Sequence, residues 1–168
     1  IICAAIAEAI TNRGRFMLSQ VIARVTEMGL TVVYGDTDSV MVKSPTVFGS
    51  FEEAWRYYEG LEKTLNDELF SDEGNVNALE FEKLAEFFLL LGKKAYFMYK
   101  KEKVDEPFIL SSTGTCDVRR DRPAILTDLT ILLGKIMVAC RRLSIEATGK
   151  VVLKAIQRHF EGMVDNAW

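Results

Sequence analysis

The stretch Thr31-Val32-Val33-Tyr34-Gly35-Asp36-Thr37-Asp38-Ser39-Val40-Met41-Val42 constrains this chain more than any other. Two apolar segments flank a short polar insert, and their β-branched side chains favour the pleated, half-buried surface of a strand. Gly35 and Asp36 are turn formers, because glycine tolerates unusual φ and Asp bonds its own nearby backbone. The spacing predicts a tight hairpin with Asp36 and Asp38 at its tip. Side chains two apart in an extended segment share a face, so the two carboxylates are expected to converge. At about 5 Å and an effective dielectric near ~20 they repel by roughly 3 kcal/mol. A cation offsets that repulsion. Mg2+ suits such a pair, since it takes oxygen ligands, keeps several waters and shares its shell with substrate phosphates.

Two other readings compete. Asp is common in turns, and a bare D-x-D at a hairpin is also what a solvated, purely structural turn looks like. A calcium loop counted from Asp36 would need Gly at its sixth position and Glu at its twelfth. Those positions hold Met41 and Val47, so that reading fails.

The whole hexapeptide Tyr34-Gly35-Asp36-Thr37-Asp38-Ser39 resembles motif C of the family B, or α-like, DNA polymerases. The resemblance implies that Asp38 bridges the catalytic metals and Asp36 supports the site. Tyr34, Gly35, Thr37 and Ser39 would shape the turn. Two Mg2+ ions are implied in the complete enzyme, with template-directed phosphoryl transfer from deoxynucleoside triphosphates to a primer 3′-hydroxyl.

Three further stretches carry the resemblance in family order. Ile6-Ala7 and Thr11-Asn12-Arg13-Gly14-Arg15 resemble the segment after motif B; read on its own, the row Ile6, Ile10, Met17, Val21, Ile22, Val25 is one face of a helix. Leu89-Leu90-Leu91-Gly92-Lys93-Lys94-Ala95-Tyr96 resembles the Lys-Lys-Arg-Tyr element, which follows the primer–template minor groove. Gly92 stands where the family has Thr, and Ala95 where it has Arg, which removes a planar fork of donors. A basic hairpin turn in solvent is the competing reading for Lys93 and Lys94. Thr113-Gly114 and Val118-Arg119-Arg120-Asp121 resemble the junction of palm and thumb, with Thr113 in place of a Lys. There Arg119 and Arg120 would contact primer backbone, or form a local ion-pair cluster with Asp121.

Charge is distributed unevenly. Residues 51–79 are acidic, whereas Lys93, Lys94, Lys100, Lys101, Lys103, Arg119, Arg120 and Arg122 gather later. A basic stripe along a groove is what a DNA cleft needs. The net charge of −3 over 168 residues argues against binding nucleic acid by bulk charge. At 49% hydrophobic and 27% charged the composition is globular, enough to bury roughly 70% of the unfolded surface in a complete domain. Cys3, Cys116 and Cys140 have neither metal spacing nor an even framework, and are expected to be reduced and buried. No segment is long and apolar enough to span a bilayer, and the start does not resemble a signal peptide.

The pattern predicts a helix over 3–28, the hairpin over 31–43 ended by Ser44-Pro45, and a helix from Phe51 to about Phe70 with Trp55, Tyr58, Leu61, Leu65 and Leu69 on one face. Strands are expected at 78–82, 86–91, 95–100 and 107–110, then helices at 125–143 and 149–164 separated near Gly149. Glu80 and Glu82 alternate on one strand face, either as a solvent-facing pair or approaching the metal site. His159 is expected on a helix surface.

The fold class is therefore α+β: an antiparallel palm sheet with packed helices over 1–118, then the α-helical start of a thumb over 119–168. The expected partners are primer–template DNA, deoxynucleoside triphosphates and the missing remainder of the same polymerase chain, with no membrane. The family's motif A Asp and motif B Lys are absent, and both ends look cut, so a fragment inactive on its own is expected. Its place is intracellular, in the nucleus or at a viral replication site; the departures at Gly92 and Ala95 point to a divergent lineage, viral among the candidates. The alternative is a non-catalytic α+β nucleic-acid-binding or scaffold module whose D-x-D turn is structural.

Overall fold

Helix α1 (Ala4–Glu27) runs until Gly29, whose φ of +82° turns the chain into the first strand. Amide groups of Met28 and Gly29 close the helix end on the carbonyls of Arg24 and Thr26. The computed structural model describes residues 3–71, 77–115 and 124–165. It is α+β, and the chain divides into two compact units, Ile1–Glu82 and Lys83–Trp168. The expected palm–thumb boundary, Arg119, Arg120 and Cys116 lie outside the described residues.

In the first unit, β1 (Thr31–Asp36) and β2 (Ser39–Lys43) form an antiparallel hairpin, and α2 (Phe51–Leu69) follows. The core joins Val21 and Val25 of α1 to Leu61 and Leu65 of α2, with Leu30 and Phe70 beside them. Val32, Val40 and Val42 of the hairpin pack on this cluster. Four-residue spacing on both helices places these side chains in one row each, so the hairpin is mounted on a helix pair. The apolar row of α1 is only half used: Ile6 and Ile10 are 60% and 67% exposed. Arg24 binds Glu68 of α2 through two guanidinium nitrogens, at 2.6 and 2.9 Å. That hydrogen bonding holds the Glu68 carboxyl below its ordinary range.

Helix α2 begins at Ser50, whose hydroxyl accepts from the Glu53 amide while the Glu53 carboxylate accepts from the Gly49 amide. This reciprocal N-terminal cap contributes about 1 kcal/mol. The strand expected at 78–82 does not form. Helix side chains satisfy that backbone instead: Asn66 Oδ1 accepts from the Leu79 amide, Asn66 Nδ2 donates to the Leu79 carbonyl, and Glu62 accepts from the Phe81 amide. Phe81 packs on Trp55 and Tyr58, at ring centroid distances of 4.8 and 5.8 Å, whereas Glu80 and Glu82 are exposed.

The second unit is a three-stranded antiparallel sheet with β4 (Ala95–Lys101) between β3 (Leu84–Gly92) and β5 (Ile109–Thr113). β5 lies later than its expected position, because Ser111, Ser112 and Thr113 pair with Met98, Phe97 and Tyr96. Helix α3 (Ala124–Ala139) approaches the sheet closely at Gly134, where an added Cβ would lie 3.0 Å from Phe97 and 3.1 Å from Leu110. Its C-terminal end is tied down by Arg141, which donates twice to Glu86, both at 3.0 Å, and lies over the Tyr99 ring.

Helix α4 (Ile145–Asp165) starts earlier than expected, because the Ser144 hydroxyl accepts from the Ala147 amide as a cap. Gly149 consequently lies inside the helix. Cys140 is buried but Cys3 is exposed, so the expectation of buried thiols fails for Cys3. No helix among the described residues is long and apolar enough to cross a membrane.

Asn66→Ala removes both bonds that hold Leu79. A loss of about 1–3 kcal/mol is expected from the two half-buried backbone groups left behind, measured by denaturation and by faster hydrogen exchange at the Leu79 amide.

Candidate active site at the hairpin tip

The hairpin register pairs Asp36 with Ser39, Gly35 with Val40 and Tyr34 with Met41, which leaves Thr37-Asp38 as a two-residue loop. A bulge at Val33 shifts the register, and Val33 is 42% exposed. Beyond it, Tyr34 and Asp36 share the half-buried side of β1, and Gly35 the exposed side. Asp38 is exposed in the loop rather than in a strand, so strand alternation does not govern the direction of its side chain.

Thr37 has a φ of +46°. The turn strain thus falls on a β-branched residue, for which this region is an outlier costing on the order of 1–3 kcal/mol. Gly35 lies within β1 without a positive φ, and a Cβ added to it would make only an ordinary contact with Ser39. The oxygens of Asp36 organise the turn. Its carbonyl accepts from the Asp38 amide and the Ser39 hydroxyl, and its carboxylate accepts from the Thr37 hydroxyl at 3.1 Å.

Two carboxylates on a short exposed turn match the donor set Mg2+ takes, one or two carboxylates completed by water and phosphate oxygens. Among the described residues no cluster of three or more His, Cys, Asp or Glu could hold a metal ion by itself. Glu80 and Glu82 supply no further strand beside the hairpin.

Within the second unit, the loop between β3 and β4 is Lys93-Lys94, since Gly92 pairs with Ala95. Both lysines are exposed, and Lys94 has a φ of +59°. Tyr96 stands opposite Thr113, and its ring packs 5.2 Å from Phe88. Gly114 passes against this loop. With φ at +62°, it would place a Cβ 1.9 Å from the Lys94 carbonyl oxygen and 2.9 Å from its carbon. The Thr37 strain and the Gly114 contact are not readable from residue pattern, because the first depends on the exact hairpin register and the second on where the Lys94 backbone lies.

Known proteins supply an independent comparison. The family model described as DNA polymerase family B matches residues 1–166. A DNA polymerase of Paramecium bursaria Chlorella virus NY2A is 35% identical over 129 residues, 76% of this chain and 14% of that protein. The DNA polymerase alpha catalytic subunit of Dictyostelium discoideum is 28% identical over 165 residues, 93% of this chain and 10% of that protein. The DNA polymerase delta catalytic subunit of Plasmodium falciparum is 34% identical over 128 residues, 71% and 11% respectively. The chain therefore spans between about a tenth and a seventh of the length of these relatives.

Gly114→Ala meets both a disfavoured φ and a backbone clash. It is expected to destabilise the β3–β4 loop by about 2–3 kcal/mol, seen as faster amide exchange from Ala95 to Phe97.

Proposed function

The chain belongs to DNA polymerase family B, and from that premise we propose that it is the C-terminal part of a polymerase palm, residues 1–118, running into the start of the thumb, residues 119–168. In the complete enzyme it takes part in template-directed addition of deoxynucleotides to a primer 3′-hydroxyl. The observation that carries this reading is the Asp36–Asp38 tip, a half-buried and an exposed carboxylate on a turn fixed by its own hydrogen bonds.

In this reading Asp38 and Asp36 hold Mg2+, two ions in the complete enzyme. Bound there, the metal supplies neutralisation of triphosphate charge and acidification of the primer hydroxyl. Asp38, exposed at the loop, is the carboxylate open to ligands from more than one segment. Asp36 is oriented by the Thr37 hydroxyl, and the Ser39 hydroxyl keeps the turn closed on the Asp36 carbonyl. Fixing the Asp36 carboxylate and the turn before substrate arrives spares their reorganisation during the reaction, which is how such sites lower a barrier.

Lys93 and Lys94, exposed on their loop, offer charge to phosphates of the primer–template, and Tyr96 lies two residues beyond Lys94, on β4. Arg119 and Arg120 are assigned to the same duplex by their motif. The remainder of the polymerase chain supplies the groups this segment lacks, and the work is done intracellularly, in a nucleus or a viral replication site.

Asp38→Asn in the full-length polymerase is expected to abolish primer extension while leaving primer–template affinity largely intact, read by single-turnover extension beside a DNA-binding titration. Near-normal turnover would take Asp38 out of the metal site. The isolated 168-residue segment is expected to extend no primer; measurable extension by it alone would overturn its reading as an incomplete catalytic unit.

A further inference from the structure

A groove of about 460 Å3 runs between α3 and α4, lined by Leu132, Val151, Lys154, Ala155, Arg158 and His159. Its floor is aliphatic and one rim is cationic. On α4, Lys150, Lys154 and Arg158 recur every four residues and so fall along one stripe. Lys150 is engaged, its ammonium 2.7 Å from Glu146. Lys154 and Arg158 are exposed, and neither forms an ion pair among the described residues. His159, expected on the helix surface, is instead half-buried, and its Nε2 is buried without a hydrogen-bond partner among the described residues. A buried polar atom left unpaired calls for a partner that the described residues do not provide.

We propose that this groove docks an acidic, amphipathic helical segment of a partner protein, a role separate from phosphoryl transfer. Charge complementarity selects the occupant. Aliphatic side chains at helical spacing fill the Leu132–Val151–Ala155 floor, as in helix-in-groove recognition. Flanking carboxylates meet Lys154 and Arg158 and accept from an Nε2–H of His159 in charge-assisted hydrogen bonds. A duplex is the poorer fit here. It binds through many phosphate contacts and presents no aliphatic side chain for the floor, whereas this rim offers two uncommitted cations.

The test uses the full-length polymerase and a fluorescein-labelled peptide of about four helical turns, with Leu along one face and Glu on its flanks, followed by anisotropy. Salt-sensitive binding in the micromolar range is expected. The double variant K154E/R158E is expected to weaken it about tenfold, and a peptide with Lys in place of Glu is expected to regain affinity for that variant. Recovery by the charge-reversed peptide separates loss of the rim from loss of folding. The proposal is overturned if no binding is seen, which would mean the groove is covered by other segments of the polymerase. It is equally overturned if primer–template competes the peptide away, which would assign the groove to nucleic acid.

Discussion

A two-residue hairpin loop favours left-handed backbone within the loop, because that geometry matches the twist of the paired strands, and with Asp36 opposite Ser39 the residue that adopts it is Thr37. Such strain persists only where surrounding structure fixes it. The hairpin meets that condition through Val32, Val40 and Val42, which pack on Val21 and Val25 of α1 and on Leu61 and Leu65 of α2. The valines anchor the strands, the strands close the turn, and the turn gathers three donors onto the oxygens of Asp36. Helix packing and carboxylate placement are thus two ends of one construction.

Much of this was legible in the sequence because local signals agreed with one another. Valines on either side of the polar insert marked β1 and β2, Pro45 marked where β2 stops, and the four-residue row Leu61, Leu65, Leu69 marked the face of α2. Signals failed where the partner of a backbone group lay elsewhere in the chain. Leu79-Glu80-Phe81-Glu82 alternates as a strand does, but its backbone is bonded by Asn66 and Glu62 of α2. Gly149 looked like a helix break, yet the Ser144 hydroxyl had already set the start of α4.

The candidate site was legible in composition more than in geometry. Asp36 and Asp38 stood out as a pair, whereas the distribution of strain did not: Gly35 seemed the permissive residue, and Thr37 carries the positive φ. The basic loop shows the same division. Lys93 and Lys94 are visible as charge, but the backbone approach that requires Gly114 exists only once β5 is paired to β4. In both units a tight loop carries the charged residues; the hairpin tip is held by its own hydrogen bonds, and the β3–β4 loop lies against Gly114.

The most direct test of the central claim is a crystal structure of the full-length polymerase with primer–template, an incoming nucleotide and Mn2+ as an anomalous scatterer. A metal peak is expected within about 2.0–2.2 Å of an Asp38 carboxylate oxygen, the ordinary oxygen-ligand distance for such ions, with Asp36 directed at the same centre. Metal bound to the nucleotide with both hairpin carboxylates facing only solvent would contradict it, and the turn would then be a structural feature of the fold.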